Sequence, residues 1–234
     1  MEPIIQISQL NYSYPDGTIA LQDINLEIDS GEKVALVGAN GAGKSTLLLH
    51  INGVINASKG IFINGLNSSR ENLGKIRAMV GVVFQNPDDQ LFSITVHDDV
   101  AFGPRYQGLS NKEINTRVEA ALNAVQMQGF RDRHPYHLSG GEKKRIAIAT
   151  VLSMEPAILV FDEPTAGLDP RARRELIELL RTLPQTLLIA THDLGLVQQL
   201  TPRTIIMNNG CIVADGSSAE LLNNKDILFE NGLI

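Results

Sequence analysis

Apolar positions along the chain follow two periods, and the change between them outlines the architecture. Over residues 4–28 the pattern is largely alternating, with Leu21, Ile24, Leu26 and Ile28 on one side. Pro15-Asp16-Gly17 supplies the turn chemistry that divides this stretch into two strands. Short apolar runs at 33–37 and 80–83 read as further strands. The runs at 157–161 and 186–190 have no polar face, which marks strands covered on both sides. Asn64-Gly65 after Ile61-Phe62-Ile63 signals a tight turn, and 204–207 and 211–214 flank Asn208-Asn209-Gly210 as a hairpin. From about residue 88 to 155 the period becomes helical. Ser110-x-x-Glu113 forms a capping box, and Ile114, Val118, Ala121, Leu122 and Val125 recur at spacings of three and four on one face. The pattern predicts an α/β core with a helical lobe inserted over 88–155. Asp169-Pro170 reads as an N-cap followed by the first helical residue, and Ser217-x-x-Glu220 as the cap of a closing helix. No internal repeat, low-complexity tract or long linker divides the chain, so 1–234 reads as one domain.

Size and charge narrow the function classes. A chain of 234 residues buries roughly 70–75% of its unfolded surface and needs no staples. A formal charge of −6 argues against a grip on nucleic acid, which needs a concentrated basic face. Cys211 stands alone and cannot form an internal disulfide, which fits a reduced cytosol. Met1-Glu2-Pro3-Ile4 lacks the basic and apolar stretches of a secretion signal, and no run of 18 apolar residues occurs. Work at a membrane is therefore expected to mean docking onto another protein's helices.

The strongest chemical signal is Gly38-Ala39-Asn40-Gly41-Ala42-Gly43-Lys44-Ser45-Thr46, between the apolar runs 34–37 and 47–49. Gly38, Gly43, Lys44 and Ser45 satisfy G-x-x-x-x-G-K-[ST] in the required strand–loop–helix context. Consecutive backbone N–H groups wrap a phosphate chain only where no Cβ intrudes, and the helix N-terminus aims its positive end at the same anion. Lys44 is expected to reach the β- and γ-phosphates of a nucleoside triphosphate, and the Ser45 hydroxyl to ligate Mg²⁺. Two carboxylates, Asp162 and Glu163, end the run 158–161. Alternation along a strand predicts that they point to opposite sides, Asp162 toward the Mg²⁺ shell and Glu163 able to polarise an attacking water. Leu138-Ser139-Gly140-Gly141-Glu142 combines a serine cap, bare glycine amides and the start of a helix over 143–154, which together form an anion site.

A phosphate loop, the Leu-Ser-Gly-Gly-Glu stretch and an Asp-Glu strand end about twenty residues later resemble the ATP-binding-cassette ATPases, over essentially the whole chain. The resemblance implies a P-loop cassette: a β subdomain, a RecA-like parallel-sheet core and the inserted helical subdomain. It implies ATP and Mg²⁺ as cofactors. Tyr14 matches the aromatic that stacks on adenine, with Tyr12 as a competing candidate. Gln85 matches the glutamine that contacts Mg²⁺ and water. Ser139, Gly140 and Gly141 match the signature that meets the γ-phosphate held by a second subunit. Ala166-Gly167-Leu168-Asp169 matches the loop crossing the dimer interface, its first two residues departing from the commoner Ser-Ala pair. His192 matches the histidine that hydrogen-bonds the γ-phosphate, whereas His50, His97, His134 and His137 match nothing.

Phe84-Gln85-Asn86-Pro87-Asp88-Asp89-Gln90-Leu91-Phe92 and the following Thr95-Val96-His97-Asp98-Asp99-Val100-Ala101-Phe102-Gly103-Pro104 look like the ATPase subunits of energy-coupling-factor transporters and the related cobalt and nickel importers. That likeness implies an integral membrane partner docking near 86–92, where Leu91 and Phe92 offer an apolar face, and a peripheral place on the cytoplasmic face of the membrane. The chain stops at Ile234 soon after the closing helix, so dimerisation, with itself or a paralogue, is expected to rest on ATP and the membrane partner. The transported substance, a transition metal or a vitamin, touches only membrane components and leaves no mark here. The alternatives are the ATPase of another transporter class and a soluble cassette ATPase. DNA-repair cassettes carry a long coiled-coil insertion, ribosome-associated ones two cassettes and a basic surface, and small-molecule P-loop kinases lack the signature.

Overall fold

The computed structural model describes residues 3–55 and 60–234; Met1 and Glu2, part of the N-terminal reading above, lie outside them. The strands are β1 (Ile5–Ser13), β2 (Ile19–Ile28), β3 (Lys33–Val37), β4 (Ile61–Ile63), β5 (Leu66–Asn67), β6 (Val80–Val83), β7 (Ile158–Asp162), β8 (Thr186–Thr191), β9 (Arg203–Asn208) and β10 (Cys211–Ser217). A four-stranded antiparallel sheet runs β2-β1-β4-β5, and a six-stranded sheet runs β10-β9-β3-β8-β7-β6. In the second sheet only β10 is antiparallel. Its central strands read as unbroken apolar runs because both faces are covered. Along β7, Leu159 and Phe161 enter one core cluster while Ile158 and Val160 enter the other, and β8 divides its residues the same way. One cluster fills the space under the helices, the other joins the sheet to the antiparallel strands.

The helices are α1 (Lys44–Ile51), α2 (Leu73–Met79), α3 (Val96–Tyr106), α4 (Asn111–Ala124), α5 (Gly140–Leu152), α6 (Pro170–Thr182), α7 (Leu194–Leu200), α8 (Ser218–Asn223) and α9 (Lys225–Glu230). Between β6 and β7 the chain forms α3, α4 and α5, with short 3₁₀ turns before α3 and between α4 and α5. The stripe on α4 is buried as its spacing requires, and the Ser110–Glu113 capping box is formed. Asn64 (φ 48°) and Gly65 (φ 74°) make the tight turn between β4 and β5. Asp169 caps α6 by accepting from Arg171 N and Ala172 N.

Two expectations need correction. Ser217 precedes α8 but makes no side-chain cap bond, because it still belongs to β10 and pairs with Arg203. The helix is instead anchored one residue later, where the Ser218 and Thr204 hydroxyls share a buried 2.7 Å bond. The closing segment also holds two short helices rather than one. Among the described residues no helix is long and apolar enough to cross a membrane.

Candidate active site

The site is built at the end of β3, in the middle of the parallel sheet. The chain leaves β3 at Val37 and enters α1 at Lys44, and Gly43 makes the turn with φ 102°. A Cβ on Gly43 would lie 2.6 Å from the Ala20 carbonyl oxygen, and one on Gly38 2.4 Å from that of Met207. Glycine is therefore required where the loop is pressed onto neighbouring backbone. Lys44 is buried, and its ammonium donates to the Gly38 oxygen at 2.6 Å and the Ala39 oxygen at 3.0 Å. Burial draws the Lys44 pKa down, while Glu163 and Asp162 push it back up. Thr46 shares a 2.8 Å hydrogen bond with the Tyr14 hydroxyl, which fixes that ring beside the loop. Tyr12 turns inward instead, edge-on to buried His50 and packed against the core, so Tyr14 is the aromatic at the mouth of the site.

Asp162 and Glu163 do not diverge as alternation along a strand predicts. Glu163 leaves the strand with φ 45°, breaking the alternation, and both carboxylates line the same cleft. The backbone strain is held by Glu163 N, which donates to Ala190 O at 2.8 Å. The Glu163 carboxylate accepts from Thr191 Oγ1 at 3.0 Å, from His192 N at 3.1 Å and from His192 Nδ1 at 2.8 Å. Burial pushes the Asp162 carboxyl up; a bond from the Ser45 hydroxyl opposes this and the Glu163 charge adds to it.

A cleft of about 560 Å³ collects Tyr14, Asn40, Gly41, Gly43, Lys44, Ser45, Thr46, Gln85, Asp162, Glu163 and His192. Gly38, Ala39 and Ala42 form the loop's inner turn behind them. The oxygen set of Ser45, Asp162 and Gln85 suits Mg²⁺, which takes few protein ligands when phosphates supply the rest. Among the described residues no cluster of three His, Cys, Asp or Glu could hold a metal by itself. Ser139, Gly140, Gly141 and Asp169 are not in this cleft. Ser139 and Gly140 are exposed at the start of α5, with the Ser139–Glu142 capping box formed. Asp169 is exposed at the α6 cap. One chain thus brings together the glycine loop, Gln85, Asp162, Glu163 and His192, and leaves Ser139 and Gly140 exposed elsewhere.

A neighbouring cleft of about 620 Å³, lined by 84–89, Gly140, Lys144 and 166–168, shares Gln85 and Asp162 with the first. Here the structure reveals residues that sequence reasoning missed. Lys144 is buried on α5, and Gln90 Nε2 donates to Ala147 O at 2.9 Å and Thr150 Oγ1 at 2.7 Å. Beside His192, Asp193 accepts two bonds from Arg173, at 2.7 and 2.8 Å, and one from Thr165 at 3.0 Å. Burial works to raise the Asp193 carboxyl, but Arg173, Leu196 N and Thr165 outweigh it and hold it at about 2. This brace fixes the turn that presents His192. Beyond Gln85, Leu91 points into the helical core at 8% exposure, so it is no part of an apolar surface. Phe92 is 67% exposed and meets Phe102, 54% exposed, edge-to-face at 5.1 Å. The turn beneath is pinned by buried Asp99, which accepts from Phe92 N and Ser93 N.

With this geometry in hand, the comparisons with known proteins agree with one another. The family model described as ABC transporter matches residues 21–166. The energy-coupling factor transporter ATP-binding protein EcfA of Methanothermobacter thermautotrophicus is 47% identical over 231 residues, covering 96% of this chain and 74% of that protein. Its namesake in Methanococcus maripaludis is 47% identical over 229 residues, covering 95% and 82%. Among solved structures, cbiO1 from Clostridium perfringens, described as part of the ABC transporter complex cbiONQ, gives a TM-score of 0.87 at 40% identity, covering 100% of this chain and 96% of its own. A dimeric ATP-binding cassette in a post-hydrolysis state, bound to ADP and Pi, gives 0.81 at 26% identity, covering 92% and 98%.

Proposed function

The chain belongs to the ABC transporter ATPase family, and on that premise we propose that it is the ATPase subunit of an energy-coupling-factor importer for a transition metal or a vitamin. The whole of 1–234 then acts as one cassette, with the helical lobe inserted in its core. The observation that carries the catalytic part is the Glu163 carboxylate, oriented by three donors in the cleft that holds Lys44, Ser45 and Gln85. Glu163 is the general base toward water, and His192 orients it and meets the γ-phosphate. The loop amides of 39–46 and Lys44 hold the phosphates, and Tyr14 stacks on the base. When bound, Mg²⁺ would neutralise phosphate charge, and Ser45, Asp162 and Gln85 are the residues that would hold it. Ser139, Gly140 and Gly141 of a second subunit close over the γ-phosphate, with Asp169 in the loop between the two subunits. ATP binds this closed arrangement more tightly than the open one, and loss of the terminal phosphate releases it.

The importer assignment is supported by the names of the relatives, EcfA and cbiO1, and by the surface beside Gln85. Phe92 and Phe102 present an aromatic pair, with Ile94 also exposed nearby in sequence. A transporter helix laid against that pair supplies the missing apolar cover and places the subunit on the cytoplasmic face of the membrane. The double replacement Phe92→Ser, Phe102→Ser is expected to leave ATP binding intact and to abolish co-purification with membranes. Retention of the double variant in the membrane fraction would count against docking at this pair. Uptake of labelled Co²⁺, Ni²⁺ and vitamins by cells lacking this subunit identifies the substance carried.

A further inference from the structure

We propose that Lys144 is a positioning residue for hydrolysis, tying the Gln85 loop and the Glu163 strand end to the helix that begins at the second anion site. The inference rests on the reading of Glu163 as base and Gln85 as its neighbour at the reacting water. The Lys144 ammonium donates to Gln85 O at 2.8 Å and to Glu163 O at 3.2 Å. The residue is only 4% exposed. Gln85 and Glu163 line the cleft around Lys44, whereas Lys144 lines only the neighbouring cleft and reaches their backbones from there.

Stability alone does not account for a lysine at this position. A buried ammonium carries a large desolvation cost, which its bonds to the Gln85 and Glu163 carbonyls must offset before it adds any stability. The face of α5 that buries Lys144 also buries Ala147, Ile148 and Val151, a setting in which an apolar chain would pack. The lysine adds a fixed distance between three elements. Other contacts tie the loop to α5, namely Gln90 to Ala147 and Thr150, and Lys143 to Asp88 at 2.6 Å. Among the described residues only Lys144 on this helix is bonded both to the loop and to the end of β7. Lys144 lies five residues beyond Ser139, about 7.5 Å along the helix axis. A second subunit that shifts the start of α5 therefore shifts the backbones of both groups at the reacting water.

The test is steady-state ATP hydrolysis and thermal unfolding of Lys144→Met and Lys144→Arg. Misplacing the base by an ångström lowers turnover, so Lys144→Met is expected to lose about 10- to 100-fold in kcat. Its KM for ATP should stay within about twofold, because Lys144 contacts neither the glycine loop nor Tyr14, which carry most of the nucleotide binding. Lys144→Arg keeps donors for both carbonyls and is expected to recover most of kcat. A folded Lys144→Met with wild-type kcat, a loss confined to KM, or an Arg variant as slow as the Met variant would each overturn the proposal. If Lys144→Met does not fold, Lys144→Gln is judged by the same kcat and KM criteria. Glu163→Gln separates the two layers. Wild-type turnover in that variant removes the base assignment itself, whereas a dead Glu163→Gln beside a fully active Lys144→Met removes only the present inference.

Discussion

Glu163→Gln is expected to bind ATP as the native chain does, to lose hydrolysis by about 10²- to 10⁴-fold, and to accumulate as an ATP-bound dimer. The amide has nearly the carboxylate's shape: its oxygen can still accept from His192 N while its NH2 donates to the Thr191 hydroxyl oxygen, so the cleft keeps its form. It cannot take a proton from water. With the γ-phosphate uncleaved, nothing reopens the closed dimer. Single-turnover hydrolysis and sedimentation with Mg-ATP measure the two effects. Native turnover in this variant would remove Glu163 from the role of base.

Lys44→Ala is expected to weaken ATP binding by about 10- to 100-fold, since a charge-assisted bond is worth about 1.5–3 kcal/mol and each 1.4 kcal/mol is tenfold. The change also removes the lysine's bonds to the Gly38 and Ala39 carbonyls, but the turn itself is set by Gly43 and by the close packing at Gly38. Asp162 and Glu163 would then face the triphosphate with less opposing charge. Titration with a fluorescent ATP analogue checks the loss, and an unchanged Kd would undo the phosphate-loop reading.

Much of this was legible because each element carried its own local signal. The phosphate loop is a motif with a mechanism, β7 and β8 are apolar on both faces because both faces are buried, and the capping boxes at Ser110 and Ser139 form as written. Less legible were features set by tertiary packing. The turn of Glu163 to positive φ depends on its bond to Ala190, far away in sequence, and no alternation rule foresees it. Helix α2 buries only Ile76, too little for a periodic signal, and it was not expected. Ser217 has the residues of a cap but is held by its strand partner. Lys144 did carry a signal. Read at spacings of three, four and seven toward Ala147, Ile148 and Val151, it falls on the buried stripe of α5, where a charge calls for an explanation. Leu91 and Phe92 show the opposite limit: adjacent apolar residues, one in the core and one on the surface, cannot be sorted without the helix beneath them.

The claim on which the rest depends is that the γ-phosphate is shared between the phosphate loop of one subunit and residues 139–141 of another. Gly140 allows a clean test, because a Cβ built there meets nothing within 4 Å of its own chain. An aspartate at this first helical position also suits the helix dipole, so Gly140→Asp should fold normally. It would place a negative charge where the partner's γ-phosphate must come. The decisive measurement is sedimentation with Mg-ATP of Glu163→Gln alone and combined with Gly140→Asp. The shared-phosphate account expects the single variant to be a dimer and the double variant to bind ATP equally well yet remain monomeric. A double variant that dimerises as tightly as the single one would contradict it.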